Sequence, residues 1–284
     1  MSAWFAKLHE TFIETGYYRL LLQGLGNTLV MTIGALCIGV VIGTLIAVIK
    51  YFAEDVPSLK PLDILCNLYV TAIRGIPVVV LLMIFFYIIM TSAEGITVGI
   101  IAFGINSGAY MAEIIRSGIN AVDKGQMEAG RSLGMSKVQA MRKIVFPQAV
   151  RYILPAIGNE MIALLKETSV AGYVAVVDLT RAGNLVRNNT YDAFNPLMAV
   201  ALTYLLLVAL MTKALKNLER RLAKSDKREK SQKGFRRQRG PQGRERRNQQ
   251  GGCDVYHRPL RFRQVHFPAL SEPSGAPRRR AGHF

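Results

Sequence analysis

The run Glu128-Ala129-Gly130-Arg131-Ser132-Leu133-Gly134, followed after nine residues by Ile144-Val145-Phe146-Pro147, carries the chain's most informative chemistry. That chemistry is docking rather than catalysis. Ala129, Gly130 and Gly134 lack bulk, so the backbone of a partner could approach them closely. Glu128 places a carboxylate near the expected start of a helix, where the helix dipole favours negative charge. Leu133, Met135 and Val138 offer apolar grip, and Pro147 is expected to stop the helix before the next apolar run. A second group is Glu160, Lys166 and Glu167, ionisable residues inside an apolar stretch. Such residues are costly in lipid and usually face a cavity or a partner. No phosphate-cradling glycine loop, metal cluster or nucleophile beside a base occurs in the reading frame of these segments. The four histidines, His9, His257, His266 and His283, all lie outside the apolar runs. Cys37, Cys66 and Cys253 show no paired spacing, so neither a disulfide framework nor a zinc site is expected.

The elements that must position these residues are membrane spans. Half of the chain is apolar and its charges are unevenly distributed. Leu20 to Ile49 contains no charge and is long enough to cross about 30 Å of hydrocarbon. Gly75 to Ala93, Gly95 to Ala112 and Ala193 to Thr212 are also uncharged, while Arg151 to Val177 is apolar but interrupted by the three ionisable residues. The reading is an all-α, polytopic helical bundle with about five spans. Residues 1–19 form an amphipathic segment with Trp4, Phe5, Leu8, Phe12 and Ile13 at helical spacing, suited to a membrane surface. Gly24, Gly26, Gly34, Gly39 and Gly43 in the first run suit close helix packing. Arg74-Gly75-Ile76-Pro77 opens the second run, and Pro77 should bend or begin a helix there. Glu113 and Arg116 stand three apart on one helical face, close enough for an ion pair that is either inert or functional. Cationic residues crowd the loop at 118–150 and follow the last run, which places both in the cytoplasm and the N-terminus outside.

The spacing at Glu128, Ala129, Gly134, Ile144 and Pro147 closely resembles the cytoplasmic coupling loop of ATP-binding-cassette (ABC) importer permeases. There Glu-Ala-Ala, three residues, Gly and nine residues precede Ile-x-Leu-Pro. Gly130 replaces the second Ala and Phe146 the Leu. Arg74-Gly75-Ile76-Pro77 resembles the Arg-Gly-Thr-Pro element of polar amino-acid permeases, with Ile76 for Thr. The segment from Tyr110 to Ile119 with Glu113 and Arg116, then Pro147-Gln148-Ala149, Leu154-Pro155 and Lys166-Glu167-Thr168-Ser169, match the same family. The resemblance covers residues 20 to 220. It implies the type I ABC importer architecture, a transmembrane permease domain over 20–222, and a place in the bacterial inner membrane. It also implies import of polar amino acids, coupled to a separate ATPase through the loop at 128–147. The implied partners are a cytoplasmic ABC ATPase, a second permease copy or homologue, an extracytoplasmic solute-binding protein and membrane lipid, with no nucleic acid. No cofactor is expected on this chain; ATP and Mg would be used by the partner ATPase. Lys166 and Glu167 could cap or bridge an interface between subunits, or recognise the charged ends of an amino acid. Two rival readings stand beside this one: an ion-gradient-driven carrier using Glu160 or Glu167, and a membrane-anchored nucleic-acid binder using the C-terminal tail.

From Ala223 the composition changes abruptly. Residues 223–284 hold 17 Lys and Arg against 5 Asp and Glu. They lack apolar periodicity, the signature of a disordered basic tail. Reading the encoding DNA one nucleotide further along gives this tail a different meaning. His257 to Phe267 then permits I-G-P-S-G-S-G-K-S-T, a phosphate-binding loop of the G-x-x-x-x-G-K-S kind. Phe267 to Ala276 permits F-L-R-C-L-N-L-L-E, and Gln249 to His257 permits N-K-G-D-V-T-Y-I-I. This resembles the start of an amino-acid importer's ATPase subunit. The tail is therefore expected to be an out-of-frame reading of an adjacent or fused ATPase gene, through a sequencing error or a real frameshift. None of the loop residues is present in the tail itself.

Overall fold

The computed structural model describes residues 9–54 and 56–238, with side chains through 222, and the regular elements among these residues are all helical. Met1–Gly234 is one compact unit; of the second, Phe235–Phe284, only backbone to Gln238 is described. Of the expected N-terminal amphipathic segment, Trp4, Phe5 and Leu8 lie outside the described residues. Its end is a π-helical turn, Glu10–Glu14, in which Phe12 is buried and Ile13 exposed.

Helix α1 (Tyr17–Ala53) has 37 residues and is about 56 Å long, well beyond the hydrocarbon thickness. Helix α2 (Lys60–Gly75) ends where Ile76 turns extended, with φ −93° and ψ 130°, as the residue before a proline should. Pro77 then caps α3 (Val78–Ile84), which runs on into a π-helical turn, Phe85–Ile89. The chain bends by 107° at this break. Pro77 thus begins a helix as expected, but the uncharged run from Gly75 is not a straight span. Val78–Ile89 covers only about 18 Å, so it needs the preceding helix to reach across a bilayer.

Helix α4 (Gly95–Asn120) packs along α1 through small residues on both sides. A Cβ at Gly39 would lie 2.8 Å from Ser107 Oγ, and one at Gly104 would lie 2.8 Å from Ile38. Gly34 meets Ile100, Gly43 meets Met111, and Gly24 meets the Asp178 backbone, so four of the expected packing glycines are used that way. Gly26 has nothing within 4 Å. Met31, Leu82, Phe103, Leu164 and Val174 fill the central core. Leu22, Val30, Ile33 and Val41 of α1 remain exposed, a surface that lipid rather than water would solvate.

Two short helices, α5 (Lys124–Ser132) and α6 (Lys137–Ala140), make the loop after α4. A π-helical turn, Met141–Val145, then leads into α7 (Phe146–Glu167). Helix α7 is about 33 Å long but carries Arg151, Glu160, Lys166 and Glu167. Length and composition together single out Tyr17–Ala53, Gly95–Asn120 and Phe194–Leu222 as spans, plus the bent pair; α7 joins them by length alone. The expected fourth span, Arg151 to Val177, therefore starts earlier and ends at Glu167, followed by a 3₁₀ segment, Thr168–Val174.

Sequence reasoning did not foresee α8 (Leu179–Thr190), whose first amides donate to the Asp178 carboxylate, from Thr180 at 2.9 Å and Arg181 at 3.1 Å. Burial pushes this carboxyl up, and the same amides pull it back down. Helix α9 (Phe194–Gln238) continues past Ala223, so helical backbone extends beyond the change in composition. The rest of the basic tail, from 239 on, lies outside the described residues.

Candidate functional site

The loop at 118–150 is a rigid corner built from local signals. Asp123 caps α5 by accepting from the Gly125 amide at 2.8 Å. At the other end Gly134 has φ +80°, the Gly134 amide donates to Arg131 O at 3.0 Å, and the Met135 amide donates to Gly130 O at 3.2 Å. This pair of bonds is a Schellman motif, which requires the left-handed residue that glycine supplies most cheaply. A capping box follows at once: the Gln139 amide donates to Ser136 Oγ, and the Ser136 amide donates to Gln139 Oε1.

Several expected roles change in this geometry. Nothing in the chain lies within 4 Å of a Cβ at Gly134, so within the chain it is the left-handed turn that calls for its glycine. Gly130 is buried inside the corner, where a Cβ would sit 2.9 Å from Ile144 and 3.0 Å from Ala140. Gly130 and Ile144 therefore hold α5 against the π-turn. Glu128 lies in the second turn of α5, where the dipole has largely faded; Asp123 occupies the favoured end. Pro147 does not stop a helix. It sits in the first turn of α7, where a missing N–H costs least, directly after the π-turn.

What remains on the outside is Glu128, Ala129, Leu133 and Val138, with Leu133 78% exposed. Met135 is half-buried. The corner is anchored beneath by Val122, Val145, Ala149 and Ile153 packing with Ile115 and Ala47. Gln148 donates to Gln126 Oε1 at 3.2 Å, and the Lys137 ammonium lies 4.6 Å from the Tyr51 ring centre.

A second polar group lies where α2, α4 and α7 meet. The Arg74 guanidinium stands 5.1 Å from the ring centre of Tyr110. Asn106 donates its amide to Glu167 Oε2 at 3.3 Å, and Ser107 donates its hydroxyl to Glu160 Oε1 at 3.2 Å. An open cleft of about 310 Å³ is lined by Arg74, Gly75, Pro77, Asn106, Tyr110 and Glu167. Lys166 is exposed and does not line it. Sequence reasoning missed Asn106 and Ser107, for which the available signal was a polar pair inside an uncharged helix, and named Tyr110 only as the start of a family-matching segment. Charges of both signs in one cleft suit a small ligand that also carries both.

Glu113 and Arg116 form the expected ion pair, 2.7 Å from Nη2 to Oε2, and Lys50 Nζ approaches Glu113 at 4.0 Å. This cluster ties the ends of α1 and α4 together near the loop, and none of its three residues lines the cleft.

Loop and cleft share one element. From Lys137 through the π-turn to Glu167 the backbone is helical without interruption, about 45 Å in all. The π-turn at Met141–Val145 and Pro155 inside α7 are the points at which this run can bend.

Residues 39–224 match the family model described as binding-protein-dependent transport system inner membrane component. A putative glutamine transport system permease of Rickettsia typhi is 36% identical over 206 residues, covering 71% of this chain and 92% of that protein. An arginine transport system permease of Bacillus subtilis is 33% identical, covering 72% and 94%. Among solved structures, an amino acid ABC transporter crystallised with histidines is 39% identical with a TM-score of 0.68, covering 73% of this chain and 96% of that chain. An inward-facing methionine ABC transporter, 24% identical with a TM-score of 0.63, shares the fold, covering 72% and 97%.

Proposed function

This chain belongs to the family of inner membrane components of binding-protein-dependent transport systems, and from that premise we propose that it imports polar amino acids under the drive of a separate ATPase. It is the multi-pass permease of an ABC importer with the type I fold. The observation that supports the coupling role is the helical run from Lys137 to the cleft at Glu167, whose N-terminal end packs against the corner helix bearing Ala129 through Gly130, Ala140 and Ile144. The ATPase grips the corner, closes on ATP with Mg, and swings α7 and its neighbours between outward- and inward-facing arrangements. A solute-binding protein delivers solute on the outer side, and a second permease copy or homologue completes the pathway.

In the cleft, Arg74 pairs with the carboxylate of the amino acid and Glu167 with its ammonium group. Asn106 holds Glu167 in place meanwhile. The amino-acid class draws support from the glutamine and arginine permeases among the relatives. An ion-gradient carrier has no comparable support.

The tail belongs to this reading as a pointer to the partner. The family match ends at residue 224, beside the change of composition at Ala223. Beyond it, the shifted frame permits a phosphate loop of the kind that an ATPase needs. The testing experiment is uptake of radiolabelled glutamine, arginine and histidine into proteoliposomes holding the permease with its ATPase and binding protein. ATP-dependent accumulation of at least one supports the proposal; uptake driven by an ion gradient without ATP contradicts it.

A further inference from the structure

A groove of about 460 Å³ opens on the flank of the bundle between the first turns of α1 and of α9. Its walls are almost wholly apolar: Phe12, Leu21, Leu22, Leu25, Met198 and Leu202. Leu22 and Leu202 are 60% and 56% exposed, on two helices that span the membrane. The medium they meet is therefore lipid, not water.

Tyr18 and Thr203 also line it, the Thr203 hydroxyl donating to Ala199 O at 2.7 Å, but one polar group breaks the pattern by leaving an atom without a partner. Asn195, 3% exposed, also lines the groove. Its side-chain N–H donates to Asp192 Oδ2 at 2.6 Å, and because a carboxylate only accepts, this bond fixes which end of the amide is which. The other end, Oδ1, is buried and has no donor. A buried acceptor without a donor is costly in any protein, and more so where hydrocarbon replaces water. Asn195 lies in the first turn of α9 and Tyr18 in the first turn of α1, both at the level of the membrane–water boundary. Leu25 and Leu202 lie about two turns deeper, roughly 11 Å. The groove is thus polar at its mouth and apolar along its length.

From this arrangement we infer that the groove holds one phospholipid of the outer leaflet. Its acyl chain lies along Leu21, Leu25 and Met198, and a hydrogen-bond donor in its headgroup satisfies Asn195 Oδ1. The donor is an ammonium N–H, as in phosphatidylethanolamine, or a glycerol hydroxyl, as in phosphatidylglycerol. Phosphatidylcholine, whose quaternary nitrogen carries no hydrogen, fills the groove without satisfying the amide. The inference rests on the chain spanning a membrane and is independent of which solute it carries.

The test is native mass spectrometry of the full chain with its ATPase, equilibrated with each of the three lipids bearing identical acyl chains. Wild type should retain the ethanolamine and glycerol lipids roughly five- to tenfold more than the choline lipid. Asn195→Leu should abolish that discrimination while keeping the chain bound. Ala199→Trp, which fills the groove, should release all three; Leu25→Phe serves in its place should that variant fail to fold. Equal retention of the choline lipid by wild type overturns the inference, as does retention that survives groove filling. Greater retention after removal of residues 1–8 also overturns it, because the chain's own N-terminal segment would then be the occupant.

Discussion

The amide of Met135 reaches back across Gly134 to the carbonyl of Gly130, 3.2 Å away, and so closes the end of α5. That bond sets the direction in which the chain leaves the helix, and with it the shape of the exposed corner.

Replacing Gly134 is accordingly a backbone change. Gly134→Ala forces a side chain into φ +80° and should destabilise the corner by about 1 kcal/mol, with Gly134→Asn milder. Both variants should still insert, while the Ala form binds less ATPase in a pull-down and transports more slowly than the Asn form. Equal behaviour of Gly134→Ala and wild type would remove the turn from the account.

Gly130 acts through packing instead. A methyl group there meets the far end of Ile144, which can move, and the Ala140 Cβ at 3.0 Å, which is fixed to the backbone, so Gly130→Ala should cost about 1 kcal/mol. Gly130→Leu should cost about 1–3 kcal/mol, and Ile144→Ala should recover part of it. Melting of the purified permease measures both, and additive effects in the double variant would contradict the contact.

In the cleft, Glu167→Gln and Arg74→Ala each remove one charge proposed to face the amino acid. Each should raise the half-saturation concentration for uptake by at least about tenfold, since hydrogen bonds to charged groups are the stronger kind. Lys166→Gln should leave that constant within about twofold, because its side chain does not line the cleft.

Asp178 offers a test by pH. Burial raises its carboxyl above the unfolded value, so the folded chain holds that proton more tightly. The contribution is full below the unfolded value and is lost as pH rises through the folded one. Asp178→Asn keeps the cap and should flatten the fall in melting temperature that sets in as pH rises above the unfolded value of about 4. Asp178→Ala should lose about 1–2 kcal/mol on both sides of that value.

Deleting residues 239–284 should leave uptake intact, since the family match ends well before them. Sequencing the encoding DNA checks the accompanying claim. A stop codon in the shifted frame, or loss of the phosphate loop there, removes the reading of the tail as ATPase sequence.

Much of this was legible in the residues. Uninterrupted apolar runs marked α1, α4 and the spanning part of α9, and the X-Pro pair at Ile76-Pro77 marked the bend. Cationic clustering and spacing marked the loop, and the i,i+3 rule gave the Glu113–Arg116 pair. Spacing could not say which way a small residue points. Gly130 proved to face inward and Gly134 to answer a dihedral angle, both of which depend on how the corner folds. Pro147 was misjudged because proline is compatible with the first turn of a helix as well as its end. Helix α8 was missed because its apolar positions, Leu179, Ala182, Gly183 and Val186, are buried on one face of a polar segment with too few large residues to stand out. The Arg74–Glu167 cleft joins residues far apart in sequence, and only tertiary packing brings them together.

The central claim is that the corner bearing Ala129 is the handle through which an ATPase drives transport. A cysteine at Ala129, paired with single cysteines across the candidate ATPase, tests it in the assembled transporter with solute uptake followed in parallel. The account predicts cross-linking at a defined ATPase groove, with uptake lost when the link forms and restored on reduction. Absence of any cross-link in an assembly that transports, or uptake that persists with the link in place and no ATP, would contradict it.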